Sequence, residues 1–182
     1  MSYYRRANKD SCTYFFTVVS YRRQQILCDD YIRKSLRAAI ITTQLKHPFT
    51  IDAWILLPDH LHCIWTLPRG DADFSKRWSI IKRSVSLDCA EHYKKDKWAT
   101  ASKKKHREST IWQRRFWEHR IRDQNDFNRH IDYIHYNPVK HGLCKKPVEW
   151  KYSALHRYIR DGIYPVEWAA QGSDFDSGVY GE

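Results

Sequence analysis

A single Pro-Asp break between two apolar runs constrains this chain most. Ile51 to Leu57 and His60 to Leu67 are rich in Ile, Leu and Trp, and only Pro58 and Asp59 separate them. Proline removes a backbone donor and fixes φ, so no regular element continues through it. Two runs this close pair as an antiparallel hairpin. The second run opens His60-Leu61-His62. Alternate strand residues share a face, so the two imidazoles point the same way and Leu61 points into the core.

Two neutral imidazoles so placed hold a divalent cation and leave most of its coordination sphere open to substrate oxygens. The bare pattern is common, and a pair of hydrogen-bonded or surface histidines is the plainer reading.

The remaining elements follow from periodicity and caps. Thr13 to Val19 is β-branched and aromatic, a strand. Asp29 or Asp30 caps a helix to about Gln44, with Ile32, Leu36, Ala39 and Ile40 on one face. A helix begins at Asp73 and runs to about His92, with Trp78, Ile81, Val85 and Leu87 inward. Phe116 to Ile121 alternates bulky and polar residues, another strand. Asp123 or Asn125 caps a helix with Phe127, Ile131 and Ile134 on its apolar side, ending at Asn137 before Pro138. Ser153 caps a last helix to Arg160, and Gly162 suits its end. The expected class is α+β: an antiparallel sheet with three or four helices packed mainly on one face. One domain is expected over residues 1–165, with 93–107 an exposed basic loop and 166–182 an acidic tail.

On a helix, i and i+4 are neighbours, so Tyr133 and Asn137 share a face and His130 lies near them. His135 and Tyr136 are rotated away. Asn137 is then placed to supply an oxygen to the ion held by His60 and His62, with Tyr133 in reach of a bound phosphate. A neutral phenol is a poor nucleophile, and a nearby cation both neutralises phosphate charge and orients the scissile bond. Attack by the phenolate leaves a phosphotyrosine and expels a sugar hydroxyl. A helix tyrosine packed in the core with its hydroxyl at the surface is the plainer reading.

Charge favours a nucleic-acid partner, with a basic surface kept solvated for solubility as the plainer reading. All 32 Lys and Arg lie at or before Arg160, against 16 acids in that stretch, whereas Asp161 to Glu182 carries five acids and no Lys or Arg. A body at +16 suits a polyanion and salt-dependent binding. Eight Trp and twelve Tyr include rings for the core and rings for stacking on unpaired bases. The five cysteines are odd in number and form no Cys-x-x-Cys, which argues against a disulfide framework and fits a reducing cytoplasm. The start lacks the apolar stretch of a signal peptide, and no apolar run approaches a membrane span of roughly 20 residues.

Taken together, the histidine pair and the tyrosine helix resemble the HUH endonucleases. More closely, three stretches resemble the REP-associated tyrosine transposases, a bacterial branch of the single-tyrosine transposases. They are Ala53-Trp-Ile-Leu-Leu-Pro-Asp-His-Leu-His-Cys-Ile-Trp65, Ile111-Trp-Gln-Arg-Arg-Phe-Trp-Glu-His119 and His130-Ile-Asp-Tyr-Ile-His-Tyr-Asn-Pro-Val-Lys-His-Gly-Leu143. The resemblance implies a ferredoxin-like sheet and metal-dependent nicking and joining of single-stranded DNA beside palindromic hairpins with a short foot sequence. It implies Tyr133 as nucleophile, His60 and His62 as metal pair, and Asn137 as third ligand, where relatives carry a glutamine. The ion expected is magnesium or manganese, the state a monomer or homodimer, the location the cytoplasm with its nucleoid.

Arg114, Arg115, Arg120 and Arg122 bracket the Phe-Trp strand and are DNA-contact candidates. Arg5, Arg6 and Trp112, with Tyr3 and Phe116, are candidates for holding bases. Two other readings stand beside the transposase: a hairpin-binding protein without turnover, and a zinc hydrolase of small molecules. The latter lacks a carboxylate base near the pair other than Asp59. The acidic tail has two readings: a segment that folds over the DNA groove and competes with phosphate, and, more plainly, a solvated terminus.

Overall fold

The computed structural model describes residues 12–106, 108–168 and 180–181. Arg5 and Arg6, with Tyr3, lie outside the described residues, as does most of the acidic tail.

Four strands form one antiparallel sheet: β1 (Cys12–Val19), β2 (Thr50–Leu56), β3 (His60–Leu67) and β4 (Trp117–Arg120), in the order β2-β3-β1-β4. Helix α1 (Asp30–Lys46) crosses from β1 to β2, and α2 (Phe74–Asp88) leads from β3 towards β4. This order and connectivity are those of a ferredoxin-like βαββαβ unit. Short helices α3 (Ala90–Tyr93) and α4 (Ala101–Lys105) interrupt the link to β4. Helix α5 (Gln124–Lys140) and the short α6 (Leu155–Arg160) complete the chain of elements.

The helices divide between the two faces of the sheet, a correction to the expectation that they pack mainly on one. Tyr14, Phe16 and Val18 of β1 and Leu61, Cys63 and Trp65 of β3 pack with Ile32, Leu36 and Ala39 of α1 and Trp78, Ile81 and Val85 of α2. Phe15 of β1, Ala53 and Ile55 of β2 and Ile64 of β3 pack instead with Phe127, Ile131, Tyr133 and Ile134 of α5. The reason is legible in β1 itself, whose run of apolar residues shows no polar alternation, the pattern of a strand covered on both sides. Each fully buried large side chain, such as Phe16 or Ile64, contributes about 1.5–3 kcal/mol.

The break at Pro58 and Asp59 is tied to the end of β1. Ser20 N–H donates to Asp59 O at 2.8 Å, and Leu27 N–H donates to Pro58 O at 2.8 Å. The histidine end of the hairpin is therefore held from two sides.

Three local expectations change. Helix α2 stops at Asp88, four residues early, and Leu87 is 70% exposed. The basic stretch 93–107 is partly helical, and Lys103 within it is buried. Helix α5 continues through Pro138 to Lys140. The proline forfeits one hydrogen bond close to the helix end, where the carbonyls of Asn137 and Pro138 still find donors in His141 and Leu143.

Candidate active site

The site forms where the start of β3 meets the last turns of α5. His60 and His62 project from the α5 face of the sheet, 2% and 0% exposed, with ring centroids 4.9 Å apart. Leu61 between them is fully buried on the opposite face. Register pairs Thr17 of β1 with His62, and this fixes the protonation of its ring. Thr17 Oγ1 donates its proton to the carbonyl of Tyr180 at 2.6 Å. The contact of 2.8 Å between Thr17 Oγ1 and His62 Nδ1 must then be donated by the imidazole. His62 Nε2 is left as the lone-pair nitrogen.

His60 is set the same way by a different partner. Its Nδ1 lies 2.6 Å from Asp59 Oδ1. Burial pushes the Asp59 carboxyl up, but the His60 contact and the Arg23 guanidinium outweigh it and bring the pKa down to about 2. A carboxylate accepts only, so Nδ1 donates and Nε2 again carries the lone pair. An imidazole oriented by a carboxylate or hydroxyl at one nitrogen and offering the other is the arrangement of metal-ligating histidines.

Helix α5 is capped at its start by Asp123, whose side chain accepts from Asp126 N–H at 2.9 Å. Its buried side carries Phe127, Ile131, Tyr133, Ile134 and Asn137. Asn137 Nδ2 lies 3.3 Å from His62 Nε2. Amide nitrogen and oxygen exchange by a half-turn of the side chain, so the same position offers Oδ1. Ligand atoms of one small divalent ion sit roughly 3 Å apart when bond lengths are about 2.1 Å. Asn137 and His62 lie at this spacing, and His60 adds a second imidazole on the same face, a donor set that suits a divalent ion.

Tyr133 is fully buried, its ring 5.2 Å from that of His62 and edge-on to it. Lys140 Nζ donates to its hydroxyl at 3.4 Å and lies 4.9 Å from the ring centroid. Tyr180 covers the other side, stacked on Tyr133 with centroids 3.7 Å apart and planes 6° from parallel. The turn that seats Tyr180 requires Gly181, which has φ +72°, and a Cβ there would meet Trp117 Cγ at 2.4 Å.

A second group of metal-type side chains, His119, Asp126 and His130, lies at the start of α5. Asp126 Oδ2 accepts from His119 Nε2 at 2.8 Å and from Arg122 N–H at 3.0 Å. His130 Nδ1 donates to Asp126 O at 2.7 Å. These atoms are committed to one another and brace α5 against β4.

The sequence-expected residues are thus brought together in part. His60, His62, Tyr133 and Asn137 converge. His135 faces away into the core between Tyr158 and Tyr164. Trp112 is 4% exposed and packs in the α1–α2 core, so its ring presents no stacking surface. Arg114 is paired with Glu108 at 2.5 Å and Arg122 with Asp126 at 3.3 Å. Arg115 is exposed on the approach to β4, and Arg120 lies opposite Tyr14 on the β1–β4 ladder. Sequence reasoning missed Thr17, Lys140 and Tyr180. Lys140 stands seven residues after Tyr133 on one helix face, a spacing hidden when Pro138 is taken as the stop.

Comparison with known proteins places the chain among relatives. A family model described as "Transposase IS200 like" matches residues 8–137. The chain is 44% identical over 179 residues, 98% of its length and 97% of the relative's, to a REP-associated tyrosine transposase of Escherichia coli (strain K12). It is 41% identical over 172 residues, 92% of its length and 93% of the relative's, to a putative REP-associated tyrosine transposase of Haemophilus influenzae (strain ATCC 51907 / DSM 11121 / KW20 / Rd). A solved structure of a REP-associated tyrosine transposase bound to a REP hairpin superposes with TM-score 0.78 at 44% identity, covering 100% of this chain and 98% of that one.

Proposed function

The chain belongs to the REP-associated branch of the IS200-like tyrosine transposases, and from that membership we propose that it nicks and rejoins single-stranded DNA beside a palindromic hairpin through a covalent phosphotyrosine at Tyr133. The observation that carries the reading is the convergence of His60, His62 and Asn137 beside a buried tyrosine hydroxyl, on elements far apart in sequence. The substrate follows from relatives of this chain, one of them solved with a REP hairpin.

His60, His62 and Asn137 are the residues that would hold a divalent ion, with magnesium or manganese the ion proposed. When bound, it neutralises phosphate charge and polarises the phosphoryl group. Asp59 and Thr17 keep both rings in the tautomer that offers Nε2. Tyr133 Oη attacks phosphorus. One P–O bond forms to the phenol oxygen and one breaks to a sugar oxygen. The phenol proton passes to solvent water, and the leaving sugar oxygen takes one from solvent water to become a hydroxyl. The Lys140 ammonium stabilises the negative charge that develops on the phenol oxygen. The phosphodiester energy stays in the adduct, so a strand hydroxyl reverses the step without ATP. For this to proceed the Tyr180 ring, which covers Tyr133, must move.

The test is a denaturing gel of hairpin oligonucleotides with permuted foot sequences, incubated with each metal. A protein–DNA band that survives denaturation is expected from the native chain, and none from Tyr133→Phe. His60→Ala should lose the band at all metal concentrations where the native chain is active. The same band from Tyr133→Phe, or full activity without metal, overturns the reading. The stacking of Tyr180 on Tyr133 favours one alternative, a hairpin binder without turnover. Tight binding with no adduct in any metal would support it.

A further inference from the structure

On the side of the sheet away from the histidine pair, α2 and the segment from Lys94 to Phe116 enclose a half-open cleft of about 1050 Å³. Ser75, Ser79, Lys82, Arg83 and Ser86 of α2 line one wall. Their spacing puts them on one helical face, where short hydroxyls and cations replace the apolar residues a neighbouring helix would need. Lys94, Lys103, Lys104, His106 and Arg114 line the opposite wall. Six Lys and Arg thus face two carboxylates, Asp96 and Glu108.

Two of these cations build the cleft. Lys82 Nζ donates to the carbonyls of Gln113 at 2.5 Å and Arg114 at 2.9 Å, tying α2 to the far wall. Burial, and then the charge of Lys103, lower its pKa to about 8. Lys103 Nζ donates to Ser109 O at 2.9 Å and sits 4.1 Å from the Tyr21 ring centroid. The carboxylates are already engaged, Asp96 with Lys94 at 2.8 Å and Glu108 with Arg114 at 2.5 Å. Arg83 and Lys104 are exposed and make no ion pair among the described residues. They stand on opposite walls, their charge uncompensated.

We propose that this cleft grips the phosphate backbone of the paired stem of a DNA hairpin, remote from the cleavage chemistry. Ammonium, guanidinium and serine hydroxyl groups are the donors that contact phosphate oxygens and carry no base information. The aromatic residues on the lining argue against an unpaired strand. Trp112 is 4% exposed, and Phe116 packs against Phe16 and Phe74, so no open ring platform awaits a splayed base. Backbone donors without stacking surfaces suit a duplex. The inference rests on the nucleic-acid reading of the chain.

The test is the double variant Arg83→Gln, Lys104→Gln in the full chain, both positions being exposed and outside the candidate active site. Fluorescence anisotropy is measured on a long-stemmed hairpin and on an unpaired strand carrying only the foot, across a salt series. The expected result is roughly tenfold weaker hairpin binding and a slope of log K against log salt shallower by about two, with the unpaired strand unaffected. Unchanged hairpin affinity and slope overturn the cleft assignment and leave the DNA reading intact. Equal losses on both probes overturn the preference for a paired stem. Absence of hairpin binding by the native chain overturns the nucleic-acid reading and the cleft with it.

Discussion

Thr17 Oγ1 lies 2.8 Å from His62 Nδ1, and because that hydroxyl already donates to Tyr180 O, the imidazole must donate to it. One side chain on β1 thereby decides which nitrogen of a β3 histidine carries the lone pair. Thr17→Val keeps the shape and removes the acceptor. The expected outcome is about 10- to 100-fold weaker apparent metal affinity, the usual cost of losing the group that orients a ligating histidine. Calorimetric titration with manganese reads it directly, and native-like affinity would remove Thr17 from the site.

Lys140 is expected to act on the nucleophile. Its ammonium is 3.4 Å from the Tyr133 hydroxyl, a long contact that strengthens as charge develops on the phenol oxygen. Lys140→Met should slow adduct formation by roughly ten- to a hundredfold, below the loss reported for a well-aligned donor. Lys140→Arg should retain most of the rate. Single-turnover kinetics over a pH series distinguish this from a packing role, since a packing role predicts equal losses at every pH.

Tyr180 has the opposite expected effect. Its ring occupies the flat side of Tyr133 at 3.7 Å, where a nucleotide would have to approach. Tyr180→Ala should raise the initial rate of adduct formation and leave the folded state intact. A slower rate would instead assign Tyr180 to holding Tyr133 in its reactive orientation.

The acid limb of stability should report His135. Its ring is fully buried, and neither nitrogen has a hydrogen-bond partner among the described residues. Burial, then the charges of Arg157 and His156, lower its pKa to about 3. The unfolded chain, with a histidine pKa of about 6.5, binds the extra proton between those values. This contribution is therefore complete above pH 6.5 and is lost as pH falls, at about 1.4 kcal/mol per pH unit. His135→Phe should flatten denaturant midpoints between pH 6 and 4. An unchanged acid slope would place the proton uptake elsewhere.

The histidine hairpin was readable because its signals are local. A proline break, an apolar run on each side and an i, i+2 pair need no knowledge of distant chain. Tyr133 and Asn137 were readable for the same reason, through i, i+4 spacing on one helix. Thr17 was not, because its partnership with His62 depends on the β1–β3 register across 45 residues. Lys140 was hidden by treating Pro138 as a stop, although a proline near a helix end removes only one hydrogen bond. Leu87 was assigned inward by periodicity, but α2 ends one residue later and no element covers it. Arg114 is a DNA-contact candidate by its place beside the Phe-Trp strand, and only the fold shows that it lines a wall on the face away from the histidines.

Strand β3 lies between β2 and β1, so its backbone is paired on both edges. Asn137 and Lys140 sit instead on either side of Pro138, where the helix has lost a rung. The two halves of the site therefore belong to different timescales. In hydrogen–deuterium exchange the amides of His60 to Ile64 should be among the last to take up label, while the final turn of α5 takes it up early. Two imidazoles on a rigid anvil thus face the short Asn137 side chain on a yielding helix end, which could adjust its reach without the sheet having to bend.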